Sequence, residues 1–539
     1  MAAVVYERLR ARLFPFMSWA RAAMRKDVVR ADAAAGLVSA ALTLPQAIVF
    51  AALVGVPPQY GLYTAIFATL IAALWGSSRH LLTGPNTAMS LMLGAAAASF
   101  AAVGSHEYLA LIAVVTLSVG VTQILVGVTG LSRYLTTIPL AALDAFMAAV
   151  GVQILLSQIP YAGGITPVAV ESTWKGAVSA VLAAGDFHPA SLLVFSVTLL
   201  TGVLLRTFAP KTIRRFALPV ALLAGLVTNE LMVWISPATR LQVFVAGHAV
   251  IRLLPFDTPR ILDPLYRAAL LHGIPAVLAI AAVGLIQSLL VSRAAAEESG
   301  QPVDIDQDAI AQGVANVAVS FLSGFAAGGS VNRSKAHQDA GARTPMAAVY
   351  SALFILLAVL VLPGVIAAIP VPAMAAMLCL VGASLIHPRE IVALAKHSGG
   401  QAVLYATVLF CGVFVGLTAA VVVGFAIPAV YYMAQAAEPR VVVSETADGF
   451  VASLTGAVFF VSVQAIARQL RVLGESCGWA KPLTLDLHGV HYLDHDGRVM
   501  LSREIDRWRA RGSHVCLKAT PASLAYKGRP PGSAGGYLQ

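Results

Sequence analysis

From residue 34 to residue 437 the chain repeats one pattern: a long apolar run, then a short polar or Gly/Pro-containing break. About 20 helical residues cross the hydrocarbon core of a bilayer. The pattern predicts spans near 34–54, 60–76, 109–130, 134–157, 189–208, 215–234, 271–292, 345–363 and 401–437. The last is long enough for two spans hinged near Gly416. Shorter or interrupted pieces fall at 84–102, 310–325, 331–342 and 366–386, which brings the total to twelve to fourteen segments. An even number puts both ends of the chain on one side.

Two of the interrupted pieces differ from the rest. In Leu81–Leu93, Gly84-Pro85 breaks the apolar run, and the fixed φ and missing N–H of Pro85 suit the first turn of a new helix. In Gly328–Ser334, Gly328-Gly329 breaks another run before a polar segment with Arg333. Each piece is third in its half of the chain, the pattern of inverted repeats with a site between them. Helix N-termini carry free N–H groups and about half a positive charge, so two aimed at one cavity make an anion site without a metal. Two ordinary glycine-containing loops between spans account for the same pattern, and the sequence leaves both readings open.

Past about residue 438 the period changes. Val441–Val443, Phe450–Leu454, Pro482–Leu487 and His514–Leu517 read as strands; 463–474 and 497–511 read as helices. Alternating strand and helix predicts a small α/β domain over 438–525, and the Gly/Pro-rich stretch 526–539 reads as a disordered tail.

Composition agrees. Of the 539 residues 58% are hydrophobic and 12% charged, which excludes an ordinary soluble protein. The net charge of +10 does not argue for nucleic acid, because much of the basic excess sits in an arm over 1–33, at Arg8, Arg10, Arg12, Arg21, Arg25, Lys26 and Arg30. Beside a first span, that charge predicts a cytoplasmic arm touching anionic lipid heads, and with an even span count both termini are cytoplasmic. Arg and Glu interrupt the N-terminal apolar residues too early for a signal peptide. Lys211, Arg214 and Arg215 in one loop and Arg389 and Lys396 in another fit the same side. The 235–270 loop, with Arg240, Arg252, Arg260 and Arg267, fits poorly outside. The four cysteines form no CxxC pair, and neither a disulfide framework nor a metal site is suggested.

Leu44-Pro-Gln-Ala47, Val56-Pro-Pro-Gln-Tyr-Gly-Leu-Tyr63, Gly76-Ser-Ser-Arg-His80, Thr83-Gly-Pro-Asn-Thr-Ala-Met-Ser90, Asp306–Asn316, Gly329-Ser-Val-Asn-Arg-Ser334 and Ala340-Gly-Ala-Arg-Thr-Pro345 follow one another in an order that closely resembles the SulP family. Leu485–Asp494 resembles a STAS domain. The resemblance implies an α-helical polytopic membrane protein of 14 segments in two inverted repeats of seven. It also implies core and gate domains and a homodimer in the inner membrane. By that resemblance the face of Gln46 and Phe50 lines the site, with Gln46 as a neutral donor. Asn86 either caps its helix or binds substrate, while Thr87 and Ala88 supply backbone N–H groups. Ser330, Val331 and Asn332 stand at the second helix start, where Asn332 replaces the family's Ser. Arg333 is the strongest candidate, since a cation at membrane depth costs about 2.5 kcal/mol or more. Gln287 stands where many transporting members carry a proton-coupling Glu, and a Gln cannot titrate. Asp144 is a further acid in an apolar segment. In the STAS-like part Asp496 takes the phospho-acceptor place. His488, His491 and His495 read as scattered beside a helix cap.

The implied function is secondary transport or exchange of a small anion by elevator-type alternating access, with sulfate first and bicarbonate or a dicarboxylate as alternatives. No P-loop ATP motif or nucleophile–base pair is present, so neither an enzyme nor a cofactor is expected. A nucleobase carrier would want a carboxylate where Gln287 stands. A membrane scaffold or sensor would signal through the STAS-like domain to a cytosolic partner.

Overall fold

The computed structural model describes residue 12 and residues 15–518, apart from 136–139, 166–172, 236–263 and positions at 215 and within 362–367, 389–398, 437–439, 447–448, 459–461 and 478–480. Arg8, Arg10, Arg389, most of the 235–270 loop and the 526–539 tail lie outside the described residues. The chain separates into two compact units, Met1–Phe425 and Ala426–Gln539.

The first unit is helical. In order its segments are α1 (Lys26–Val54), α2 (Pro58–Tyr63, continued through a π turn at Thr64–Ala68 into Thr69–Trp75), β1 (Thr83–Pro85) with α3 (Thr87–Ala98), α4 (His106–Thr129), α5 (Leu140–Ser157), α6 (Pro189–Phe208) and α7 (Ala217–Ile235). The second set is α8 (Pro264–Ser299), α9 (Ile305–Phe321), β2 (Ala327–Gly329) with α10 (Val331–Asp339), α11 (Met346–Val361), α12 (Val371–Ala383), α13 (Gly399–Phe410) and α14 (Leu417–Ala436). Each set of seven has strand-then-helix in third place, where the sequence predicts an interrupted helix; Pro85 ends the first strand rather than opening the helix, which starts at Thr87 behind the Asn86 cap. Six of the described helices are long and apolar enough to cross a membrane. Gly416 separates the last two segments at φ +141°, a backbone that side chains rarely adopt. A short amphipathic helix, Thr173–Leu182, was not among the expected elements.

The helices sort by packing into two groups. α1, α2, α3, α4, α8, α9, α10 and α11 pack mainly on one another, as do α5, α6, α7, α12 and α13. Without water to drive association, helices in a bilayer approach closely through small residues. α4 and α9 show this at its tightest. A Cβ on Gly120 would lie 2.6 Å from the backbone N of Val317, and one on Gly313 would lie 2.6 Å from the carbonyl of Gly120. Gly127, two turns along α4, meets the carbonyl of Asp306 in the same way. Backbone therefore touches backbone along this seam.

Two buried carboxylates fix the loops that the family-like motifs occupy. Asp308 accepts from Ser77 N (2.7 Å), Ser77 Oγ (2.9 Å), Ser78 N (3.3 Å) and the Ser292 hydroxyl, and so holds the turn before β1. Asp32 accepts from Arg343 N (2.7 Å), Thr344 N (3.2 Å) and Thr344 Oγ1 (2.5 Å), which ties α1 to the segment after α10.

The second unit carries a four-stranded sheet in the order β3 (Arg440–Thr446), β4 (Gly449–Val458), β5 (Leu483–Leu493), β6 (Val515–Lys518). The first pair is antiparallel and the other two are parallel, with α15 (Val463–Cys477) and α16 (His495–Ala510) as crossovers. Leu454, Ile466, Leu485, Leu501 and Trp508 form its core. Asp494 caps α16 by accepting from Gly497 N at 2.7 Å, as the sequence suggests. The His488 ring is spent on Asp486 at 2.7 Å, and the side chain of His491 lies outside the description.

The helix seam makes a direct prediction. Gly120→Ala and Gly313→Ala each force backbone apart and should cost about 1–3 kcal/mol, seen as a lowered thermal unfolding midpoint in detergent. Gly185→Ala meets nothing within 4 Å and should leave the midpoint unchanged. Equal effects at all three positions would show that the seam is not tight.

Candidate anion site

β1 and β2 pair antiparallel over three residues, Thr83 with Gly329, Gly84 with Gly328 and Pro85 with Ala327. Ser330 N extends the ladder to Leu82 O at 3.3 Å. Because the strands are antiparallel, α3 and α10 leave the ribbon in opposite directions. Their N-termini stay at its two ends, roughly 7 Å of strand apart. Neither helix carries an acid in its first turn.

Each strand needs more partners than the other supplies, and buried polar side chains provide them. Asn316 donates to Ala327 O (2.9 Å) and accepts from Ala327 N (2.7 Å), so its amide acts as a third strand beside β2. Gln123 on α4 accepts from the same Asn316 amide at 2.8 Å. Gln312 donates to Thr83 Oγ1 (2.7 Å), and Thr69 Oγ1 donates to Thr83 O (2.5 Å). Ser288 accepts from Gly329 N and donates to Gly284 O, both at 2.7 Å. Gly284 and Gly328 have no side chain because a Cβ on either would lie within 2.8 Å of the Met89 sulfur.

Asn86 is the N-cap of α3. Its Oδ1 accepts from Met89 N at 3.1 Å, while its Nδ2 donates to Gln287 Oε1 (2.6 Å) and Gly329 O (3.4 Å). The capping alternative for Asn86 is thus realised here, with both ends of its amide engaged. Thr87 and Ala88 form the first turn and are buried. Across the ribbon, Ser330 caps α10 by position only, with no side-chain bond to the helix. Val331, 64% exposed, and Asn332 face the open side of that helix end.

Arg333 turns inward. It is 2% exposed and donates through one terminal nitrogen to Pro85 O at 2.7 Å, while its Nε and other terminal nitrogen have no hydrogen-bond partner among the described residues. The guanidinium lies over Gly84, where a Cβ would sit 3.3 Å away. The charge therefore stands behind the ribbon, bound to the end of the first strand, rather than out in a wet cavity. Gln46 is half-buried on α1 and has no hydrogen bond among the described residues; Phe50, one turn on, is buried in the hydrophobic core. Asp144 on α5 is half-buried and already has a partner.

Several supporting residues receive no role from the sequence alone, although three of them lie within the Asp306–Asn316 motif. Asp308, Gln312, Asn316 and Ser320 recur every four residues and form one buried polar stripe on α9. Polar residues at helical spacing inside an apolar run were the available signal. Gln123, Ser288 and Met147 had none.

The model of the sulfate permease family matches residues 29–408. A putative sulfate transporter of Bacillus subtilis is 24% identical over 92% of this chain and 93% of its own length. A probable sulfate transporter of Mycobacterium tuberculosis is 30% identical over 73% of this chain and 69% of its own. The match to a chloroplastic sulfate transporter of Arabidopsis thaliana, 26% identical, spans 62% of that protein. The fold is shared with the murine solute carrier 26 family member A9 anion transporter in the inward-facing state, at TM-score 0.82 and 19% identity over 96% of this chain and 89% of that one. It is shared also with the transmembrane domain of a cyanobacterial bicarbonate transporter, at TM-score 0.64 and 22% identity over 74% of this chain and 98% of that one. The inverted strand–helix pair, the motif order and these likenesses agree, and the chain belongs to the sulfate permease family of membrane anion transporters.

Proposed function

We propose that the chain is a secondary transporter or exchanger of a small oxyanion, sulfate first and bicarbonate second. The anion binds at the paired ends of α3 and α10. The observation that carries this reading is the β1–β2 ribbon, which sets a helix N-terminus at each of its two ends with no acid in either first turn and a buried arginine behind. The backbone N–H groups of Thr87, Ala88, Val331 and Asn332 and the amide of Gln46 supply donors; Ser330 and the Asn332 side chain add two more. Arg333 acts through its field and through the Pro85 carbonyl rather than by reaching solvent. A homodimer working by elevator-type movement of the site past a second helix group, in the inner membrane with cytoplasmic termini, fits the two packing groups. In the same reading the second unit is a STAS-like domain that takes a cytosolic partner.

Uptake of labelled sulfate, bicarbonate and dicarboxylates into proteoliposomes tests the substrate directly. No uptake or exchange of any of them would sink the reading. Arg333→Ala should weaken anion-dependent thermal stabilisation by roughly tenfold in midpoint concentration, about 1.4 kcal/mol. Without anion, the lost bond to Pro85 O and the relief of a buried, partly unpartnered charge oppose each other, so the unfolding midpoint should move little. An unchanged anion response would remove Arg333 from the site.

Gln287 cannot carry a proton across. Wild-type uptake should therefore depend little on an imposed proton gradient at fixed substrate protonation, and Gln287→Glu should add such a dependence. Accumulation by the wild type on a proton gradient alone would assign coupling to another residue.

A further inference from the structure

Hydrogen-bond direction around Asn86 fixes the direction of its neighbour. The Met89 N–H must be accepted, so Asn86 turns Oδ1 toward it and its NH2 toward Gln287. Gln287 must then present Oε1 to Asn86 and its own NH2 to the far side. There the Nε2 meets the Met147 sulfur at 2.9 Å. A single directed chain runs from the first turn of α3, through Asn86 and Gln287, to α5.

The far end of that chain lies in the other helix group. Gln287 belongs to α8, which packs on α4, α9, α3 and β2; Met147 belongs to α5, which packs on α12 and α13. A thioether is a weak acceptor, and the Gln287 amide is buried where no stronger acceptor is bonded to its Nε2 among the described residues. An arriving oxyanion would be a far better partner for the same N–H, because charge-assisted bonds are about twice as strong as neutral ones.

We infer that Met147 is a positioning residue for the transported anion: its sulfur parks the Gln287 amide donor in the empty site and yields it when an anion binds. The inference rests on the anion site proposed above. Its content is that anion binding exchanges a bond between the two helix groups for a bond to substrate. Occupancy then loosens the seam between the groups at the point where the site touches it. A strong acceptor at residue 147 would hold the donor too well, and no acceptor would leave it permanently free.

Two substitutions bracket this. Met147→Leu keeps length and volume but has no acceptor. It should lower the half-saturating anion concentration about fivefold, on the scale of one weak hydrogen bond. Met147→Gln keeps the length and offers a strong carbonyl acceptor, and should raise that concentration by a similar factor. Both shifts should vanish in a Gln287→Leu background, as a double-mutant cycle requires of a direct pair. The readouts are sulfate and bicarbonate dependence of thermal stabilisation, with half-saturation and maximal rate of proteoliposome uptake measured separately. Shifts in the same direction for Leu and Gln, or shifts that survive without Gln287, would mean that residue 147 acts only by packing. A wild-type response to anion that neither variant alters sinks the Met147 assignment alone. No wild-type response to any anion sinks the site itself and this assignment with it.

Discussion

Everything in the membrane unit depends on three residues of one broken helix pairing with three of another. Extended backbone at bilayer depth is tolerated only where its N–H and C=O groups find partners inside the protein. Neither Thr83–Pro85 nor Ala327–Gly329 could survive alone in an apolar surround. Together they satisfy part of the need, and Asn316, Gln312, Thr69 and Ser288 supply the rest. The helices behind the ribbon are therefore not passive. Gly120 and Gly313 bring α4 and α9 into backbone contact, which sets α9 where its polar stripe can reach both strands. Packing at the seam and hydrogen bonding at the ribbon are one construction.

The electrostatics follow from the same ribbon. Free N–H groups at two helix starts make a region of positive potential that needs no metal. Arg333 adds a full charge, yet two of its nitrogens have no partner among the described residues although the side chain is almost wholly buried. A buried, partly unpartnered guanidinium is destabilising unless something offsets it. A bound anion close by is the compensation the proposed function provides. The arginine then favours the occupied site over the empty one.

How much was legible in the sequence follows from which physical signal each feature leaves. Apolar length located nearly every membrane segment, because a bilayer imposes a minimum length on each span. Gly84-Pro85 and Gly328-Gly329 marked the ribbon, since breaks inside an apolar run require special backbone. Neither break reveals that the two strands pair with each other, as pairing 244 positions apart (84 to 328) leaves no local trace. Arg333 stands out in the sequence from its cost, but its direction does not: a helix face fixes where a side chain starts, not which carbonyl it finds. The Asn86–Gln287 bond joins two amides 201 positions apart in sequence, and only the fold brings them together. The helix 173–182 was missed because its amphipathic run is too short and mixed to read as a span.

The strength of the joints is graded in a way that suits a transporter. Within the group that carries the ribbon, contacts include backbone on backbone and the amides of Asn86 and Asn316 bonded at both ends, and such joints are stiff. A Gln–thioether contact joins that group to α5, and it is among the weakest hydrogen bonds side chains can make. The proposed movement of one group past another would have to break whatever polar contacts cross between them on every cycle. A soft contact there costs little to break, whereas an ion pair in the same place would lock the groups together. The same grading explains why the site can be stiff without making the protein stiff. The ribbon is over-determined by its own group, so loosening the seam need not disturb the helix ends where the anion is proposed to bind.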